Sequence, residues 1–167
     1  DIRCGANSIL QRIECIINNK FEISLHCRKA LAPYLKEVHK NKINNISKDD
    51  HLLISGRVIF DEESLKYLLS KKEKNSYYTF KDEIIAAYVA KDKIHIIKEK
   101  AEGADNVFGR EFFEKQNFKS IRLKNELNIR AIKYSWDIID YILHKGLEED
   151  LNYYLNKKEN KELKRIK

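Results

Sequence analysis

The chain has 167 residues, 35% of them charged, a formal net charge of +7, three cysteines, one proline and no methionine. That length supports one domain with a real core, and no Pro/Gly/Ser-rich linker divides it. No apolar run reaches membrane-spanning length and the N-terminus lacks a secretory succession, so the composition points to a soluble, cytoplasmic protein.

Cys4, Cys15 and Cys27 are odd in number and widely spaced, which suggests neither a disulfide framework nor a zinc site. The absence of methionine is expected of an internal piece of a longer chain. Between positions 157 and 167, six basic residues against two acidic ones contribute +4 of the net charge. The basic excess is thus largely a tail property, read as a solvated end or, in the minority reading, as a contact for nucleic acid or another acidic surface. The division expected is an α/β domain over residues 1–156 followed by a basic tail over 157–167.

In chain order, Ile9, Leu10, Ile13, Ile16 and Ile17 repeat at helical spacing after Ser8, which predicts an amphipathic helix over residues 8–18. Phe21, Ile23, Leu25 and Cys27 alternate as in a strand. Residues 28–40 carry Leu31, Leu35 and Val38 on a helical face with Pro33 near its start, and the Asn-rich stretch 41–50 reads as a loop. The segment His51–Leu69 then reads as buried strand, sharp bend at Ser55-Gly56-Arg57, and helix, with Asp61 as N-cap and Leu65, Leu68 and Leu69 facing inward. A glycine bend between strand and helix is a common ligand-bearing junction in α/β sheets, although it is also an ordinary connection.

Further along, Tyr77–Phe80 and Ile84–Val89 read as strands, and the small Ala86 and Ala87 suggest close approach by another backbone or a ligand. Asp92-Lys93 predicts a turn into an extended segment, Ile94–Ile97. Val107, Phe108, Phe112 and Phe113 favour a short helix, and Phe118, Ile121 and Leu123 an extended stretch. Ile132 and Tyr134 end a strand, Ser135 caps a helix carrying Trp136, Ile138, Ile139, Ile142 and Leu143, and Gly146 stops it. A second helix with Leu147, Leu151, Tyr154 and Leu155 completes a C-terminal helical hairpin.

None of the specific dinucleotide, P-loop, zinc-protease or nucleophile-elbow signatures is present. Three places combine a polar group with a bend: Asp1-Ile2-Arg3-Cys4-Gly5, Ser55-Gly56-Arg57 and Ser135-Trp136-Asp137. Arginine at a glycine-flexed turn suits a phosphate, because its planar fork gives paired charge-assisted hydrogen bonds while glycine lets backbone N–H groups approach.

In their order and spacing, DIRCGANSILQRIE, ISGRVIFDEESLKYLL, KDEIIAAYVAKDK and IKYSWDIIDYILHKGLEEDL resemble the sugar nucleotidyltransferases related to N-acetylglucosamine-1-phosphate uridylyltransferase. Arg3 and Gly5 match an LR-x-G-type segment, Gly56 and Arg57 an NGR strand end with Ser55 in place of Asn, Ala86 and Ala87 an Ala-Ala strand, and Trp136 and Asp137 a Trp-Asp helix start. The resemblance implies a Rossmann-like three-layer α/β/α sheet, incomplete at its N-terminus and lacking its first strand. It implies attack of a sugar 1-phosphate on a nucleoside triphosphate, with Mg²⁺ as cofactor.

Carried onto this sequence, the implied catalytic residues are Arg57 and Arg3, the substrate-binding residues Gly5, Ser55, Gly56, Ala86 and Ala87, and the metal ligand Asp137. In better-known members the position of Arg57 is an aspartate that holds the metal. Arginine cannot ligate Mg²⁺, so Asp137 or Asp61 serves instead, or catalysis is altered or lost. The alternatives are a catalytically silent nucleotide-sugar-binding or assembly domain and a basic nucleic-acid-binding domain.

Overall fold

The structure is a computed structural model that describes residues 3–5, 7–18, 20–102, 108–152, 154 and 155. Helix α1 (Ile9–Ile17) starts where Ser8 and Gln11 form a capping box: Gln11 N donates to Ser8 Oγ at 3.2 Å, and Ser8 N to Gln11 Oε1 at 2.8 Å. Two backbone donors that the helix itself leaves unpaired are thereby satisfied. The helix ends on Asn18 in left-handed geometry, φ 47°.

The alternation after it produces only a two-residue strand, β1 (Ser24–Leu25). It pairs in parallel with β2 (Lys42–Ile43), which lies inside the stretch expected to be a loop. Between them a 3₁₀ turn (Lys29–Leu31) leads into α2 (Ala32–Val38), with Pro33 in its first turn.

The stretch expected to run as one buried strand into a helix is two strands in different sheets. Strand β3 (His51–Ile54) pairs antiparallel with β6 (Glu83–Val89), whereas β4 (Val58–Phe60) pairs antiparallel with β8 (Ile129–Ala131). All four residues of β3 are only half-buried, as befits an edge, while β4 is buried throughout. It is β4 that feeds α3 (Glu62–Ser70), capped by Asp61, whose carboxylate accepts from Ser64 N at 2.8 Å. Strand β5 (Ser76–Phe80) joins β6 through Lys81 and Asp82, both at positive φ, which matches the twist of a tight hairpin.

The main sheet runs β3-β6-β5-β7, with β7 (Lys119–Arg122) parallel to β5 and the other pairs antiparallel. Its two faces bury different clusters. On one, Tyr78 and Ala86 pack with Leu65 and Leu68 of α3, with Ile13 and Ile17 of α1, and with Val58 and Phe60. On the other, Tyr77, Ala87 and Val89 pack with Ile94 and Ile97 of α4 (Ile94–Glu102) and Phe113 of α5 (Arg110–Lys115). The result is a mixed α/β sheet with helices on both faces. The close approach expected at Ala86 and Ala87 is made by the protein itself, since they stand between Ile54 and Tyr78 and between Leu53 and Tyr77.

Four further expectations are corrected. Residues 94–97 open a helix: Ile94, Ile97 and Ala101 fall on one buried face at helical spacing, with Lys98 and Lys100 off it. Ser135 is the first residue of α6 (Ser135–Tyr141), not its cap. Gly146 does not stop that helix, which passes through a π-helical segment (Ile142–Gly146) and stays helical over 147–152 and at 154 and 155. Among the described residues there is no helical hairpin. The tail 157–167 lies outside the described residues, as do Asp1, Ile2 and Val107.

A polar network pins this last helix to the start of the chain. Arg12 of α1 has only 10% of its side chain exposed and Asp150 only 5%, and Arg12 Nη2 meets Asp150 Oδ1 at 2.7 Å. The guanidinium also donates to Glu149 and to the carbonyls of Cys4 and Gly146 at 3.0–3.2 Å. Asn7 donates from its backbone N and from Nδ2 to the same Asp150 carboxylate.

Removing one partner of a buried, hydrogen-bonded charge pair leaves the other uncompensated, which costs about 3–5 kcal/mol. The Asp150→Ala variant is therefore expected to lose stability on that scale in urea unfolding. Lys66→Ala, which breaks an exposed i,i+4 pair with Glu62, is expected to lose no more than about 0.5 kcal/mol.

Candidate functional site

Ser55, Gly56 and Arg57 form a four-residue turn with Val58, closed by Val58 N donating to Ser55 O at 3.1 Å. One end of the turn is held by β6 and the other by the residue that follows β8. Ser55 N donates to Ile85 O at 2.9 Å, and Ile132 N donates to Arg57 O at 2.8 Å. The backbone that carries Arg57 is therefore fixed, yet Gly56 and Arg57 are exposed and the guanidinium has no hydrogen bond or ion pair with the described residues. A Cβ built on Gly56 would meet nothing within 4 Å. The protein's own packing gives no steric reason for glycine there.

Beyond Ile132 the chain turns into α6. Asp137 Oδ2 accepts Lys133 N at 2.7 Å and Tyr134 N at 2.9 Å. Those two backbone donors hold its carboxyl below the ordinary value of 3.8, with Arg130 and Lys133 adding to the effect. Lys133 is paired at 2.8 Å with Glu83 at the start of β6, and that pairing raises its pKa. Tyr134 and Trp136 stack with ring centroids 4.6 Å apart, both mostly exposed. The structure thus brings Ser55, Gly56 and Arg57 beside β6, which carries Ala86 and Ala87, and links the turn through Ile132 and Lys133 to Asp137.

Arg3 and Gly5 stand in a different setting. Arg3 is exposed and forms an antiparallel bridge with Ser8. Gly5 has φ 114°, and a Cβ there would lie 2.6 Å from Asp150 Oδ2, so its glycine is needed by the polar network. Cys4 between them packs with Ile59, Ile132 and Tyr141, and this small cluster joins the N-terminal segment to the β4–β8 pair.

Arg12, Asn7, Tyr141, Glu149 and Asp150 are functional-looking polar residues that no motif in the sequence singles out. Burial and a hydrogen bond to Glu149 push the Tyr141 phenol far above its ordinary range, and burial raises the Cys4 thiol. The legible signal was Arg12 itself, which falls on the apolar face of α1, three residues after Ile9 and next to Ile13.

Mg²⁺ needs several oxygen ligands. Asp137 offers one carboxylate with Oδ2 already engaged by two N–H groups, and Asp61 is engaged as the cap of α3. Among the described residues no three His, Cys, Asp or Glu side chains gather where an ion would sit, and no helix is long and apolar enough to cross a membrane. These residues do not by themselves compose a Mg²⁺ site.

A family model described as Sugar nucleotidyl transferase matches residues 1–159. No curated protein matches the chain.

The two glycines are expected to separate by stability. Gly5→Ala combines a left-handed φ with a clash and should cost on the order of 2 kcal/mol or more, whereas Gly56→Ala should stay within about 0.5 kcal/mol, both read by urea unfolding. Because its folded-state pKa is depressed, Asp137 contributes stability that is present above 3.8 and lost as pH falls through the lowered value. The melting-temperature gap between the native chain and Asp137→Ala is therefore expected at neutral pH and to shrink as the solution is acidified below that range.

Proposed function

The chain belongs to the sugar nucleotidyl transferase family, and from that premise we propose that it binds a nucleoside triphosphate and a sugar phosphate at the Ser55–Arg57 turn and joins them. A phosphate oxygen of the sugar 1-phosphate attacks the α-phosphorus, the bond from that phosphorus to the oxygen bridging to the β-phosphate breaks, and pyrophosphate leaves. Such a step depends on in-line positioning and on neutralising charge at the phosphates.

The observation that carries this reading is the pairing of a fixed backbone with a guanidinium at Arg57 that is uncommitted among the described residues. Gly56, which no described residue crowds, leaves room for a phosphate oxygen to reach the turn's backbone. Arg57 then supplies positive charge in a planar, two-pronged form. In this reading the main sheet is the nucleotide-binding scaffold of a Rossmann-like domain, the buried Ala86 and Ala87 support the strand beside the turn from within the core, and Arg3 is a second phosphate contact. Family membership implies chemistry that in general depends on Mg²⁺. The residues described at Asp137 would have to be joined by other ligands to hold the ion.

A second reading, in which the chain binds a nucleotide sugar without turning it over, is favoured by a specific observation. Arg57 occupies the place where the resemblance expects a metal carboxylate, and both Asp61 and Asp137 are spent on helix starts.

Pyrophosphate release in the presence of Mg²⁺, a panel of nucleoside triphosphates and sugar 1-phosphates distinguishes the two. The transferase reading expects turnover that falls at least about tenfold in both Arg57→Ala and Gly56→Ala while their melting temperatures match the native chain. The binding-only reading expects no turnover, with nucleotide-sugar binding that Arg57→Ala abolishes. Turnover or binding indifferent to Arg57→Ala overturns the assignment of this turn.

A further inference from the structure

The C-terminal helical run carries a largely uncovered apolar face, on which Tyr134 stacks only against Trp136. Trp136, Ile139, Leu143, Leu147, Leu151 and Leu155 follow one another at spacings of three or four residues, and each is about half exposed or more, Leu143 reaching 74%. In an unbroken α-helix a four-residue spacing drifts by about 40° per step, so Ile139 and Leu155 would stand about 160° apart. The π-helical segment Ile142–Gly146 lies in the middle of the series. Its wider turn winds more slowly and takes back much of that drift, leaving one continuous apolar stripe.

On the opposite side of the run, Tyr141, Gly146 and Asp150 are buried. A Cβ on Gly146 would meet Tyr141 Cε1 at 2.9 Å and Cys4 O at 3.2 Å, so the helix lies hard against the N-terminal segment there. The Arg12 network fixes its rotation. The stripe therefore faces outward by construction.

We propose that this stripe is the two-fold interface of a homodimer, covered by the same stripe of a second copy. Its area supports that occupant. Side chains exposed to this degree carry on the order of 100 Å² each, so six offer roughly 600–700 Å², close to the ~800 Å² that each partner contributes to a standard interface and above the few hundred Å² of apolar patch that monomers usually expose. An isologous contact also needs only that the stripe fit itself. Among the described residues, the outward charges on the same run oppose an anionic lipid surface: Asp137, Asp140 and Glu148 stand against His144 and Lys145, and Arg130 is already paired with Asp140. This inference is independent of the transferase reading, since it involves neither the Ser55–Arg57 turn nor its ligand.

Sedimentation equilibrium of the full chain between about 1 and 100 μM is expected to show a monomer–dimer equilibrium. Leu147→Asp and, separately, Leu143→Asp put a charge in the stripe without touching a buried residue. Each is expected to weaken the dimer at least about 100-fold while leaving the far-UV circular dichroism unchanged. Arg57→Ala is expected to dimerise like the native chain. A monomer throughout the range overturns the proposal, as does a dimer indifferent to both substitutions. A monomer that co-sediments with phosphatidylserine-containing vesicles, and loses that with Leu147→Asp, also overturns it and gives the stripe to lipid.

Discussion

Burying a guanidinium is expensive unless carboxylates and carbonyls meet it, and both terminal nitrogens of Arg12 are met in this way, whereas its buried Nε has no partner among the described residues. Asp150 and Glu149 supply charge, Cys4 and Gly146 supply backbone oxygens, and the Tyr141 ring lies 5.3 Å from the guanidinium carbon. Residues separated by more than 130 positions are thereby held as one unit, and several local choices depend on it. Gly5 is glycine because Asp150 must come close, Gly146 because Tyr141 and Cys4 must, and Asn7 is placed to spend two donors on the Asp150 carboxylate. Such a pair adds less net stability than its many contacts suggest, because both charges were hydrated before folding. What it fixes is which surface of the last helix faces in.

The Ser55–Arg57 turn follows the opposite logic. Its backbone is bonded at both ends to different sheets, while its side chain is left to solvent. Preorganised backbone with an unspent cation is what recognition of a phosphate needs, because the ordering has been completed during folding rather than on binding. The carboxylates nearby tell a complementary story. Asp61 accepts Ser64 N and Asp137 accepts Lys133 N and Tyr134 N, each at the start of a helix, a role that uses the lone pairs a cation would want. The local electrostatics thus suit an anionic ligand better than they suit a metal ion.

What could be read in the sequence was local. The apolar spacing after Ser8, the cap at Asp61 and the apolar runs of β5 and β6 announce themselves through chemistry confined to a few residues, and α1, α3 and both strands are present. The structure departs from local pattern where partners distant in sequence decide. Leu52–Phe60 is apolar on both sides of its bend, and nothing local says that its halves belong to different sheets; the partners are Ala86 and Arg130. Ile94–Ile97 is short enough to suit either a strand or a helix, and the burial of Ala101 with Ile94 and Ile97 settles it as helix. Gly146 looked like a helix stop, yet its lack of a side chain serves close packing under Tyr141. The Ser55–Gly56–Arg57 bend was legible as a candidate, while the Arg12 network required knowing that residue 150 would return to residue 7.

Backbone amide chemical shifts of the isotopically labelled chain, followed while a nucleotide sugar is titrated in, test the assignment of the ligand to the Ser55–Arg57 turn most directly. Saturable shifts centred on Ser55, Gly56 and Arg57, spreading to Ile85, Ala86 and Ile132–Tyr134, are the expected result. Binding that moves other amides and leaves the turn still would contradict it.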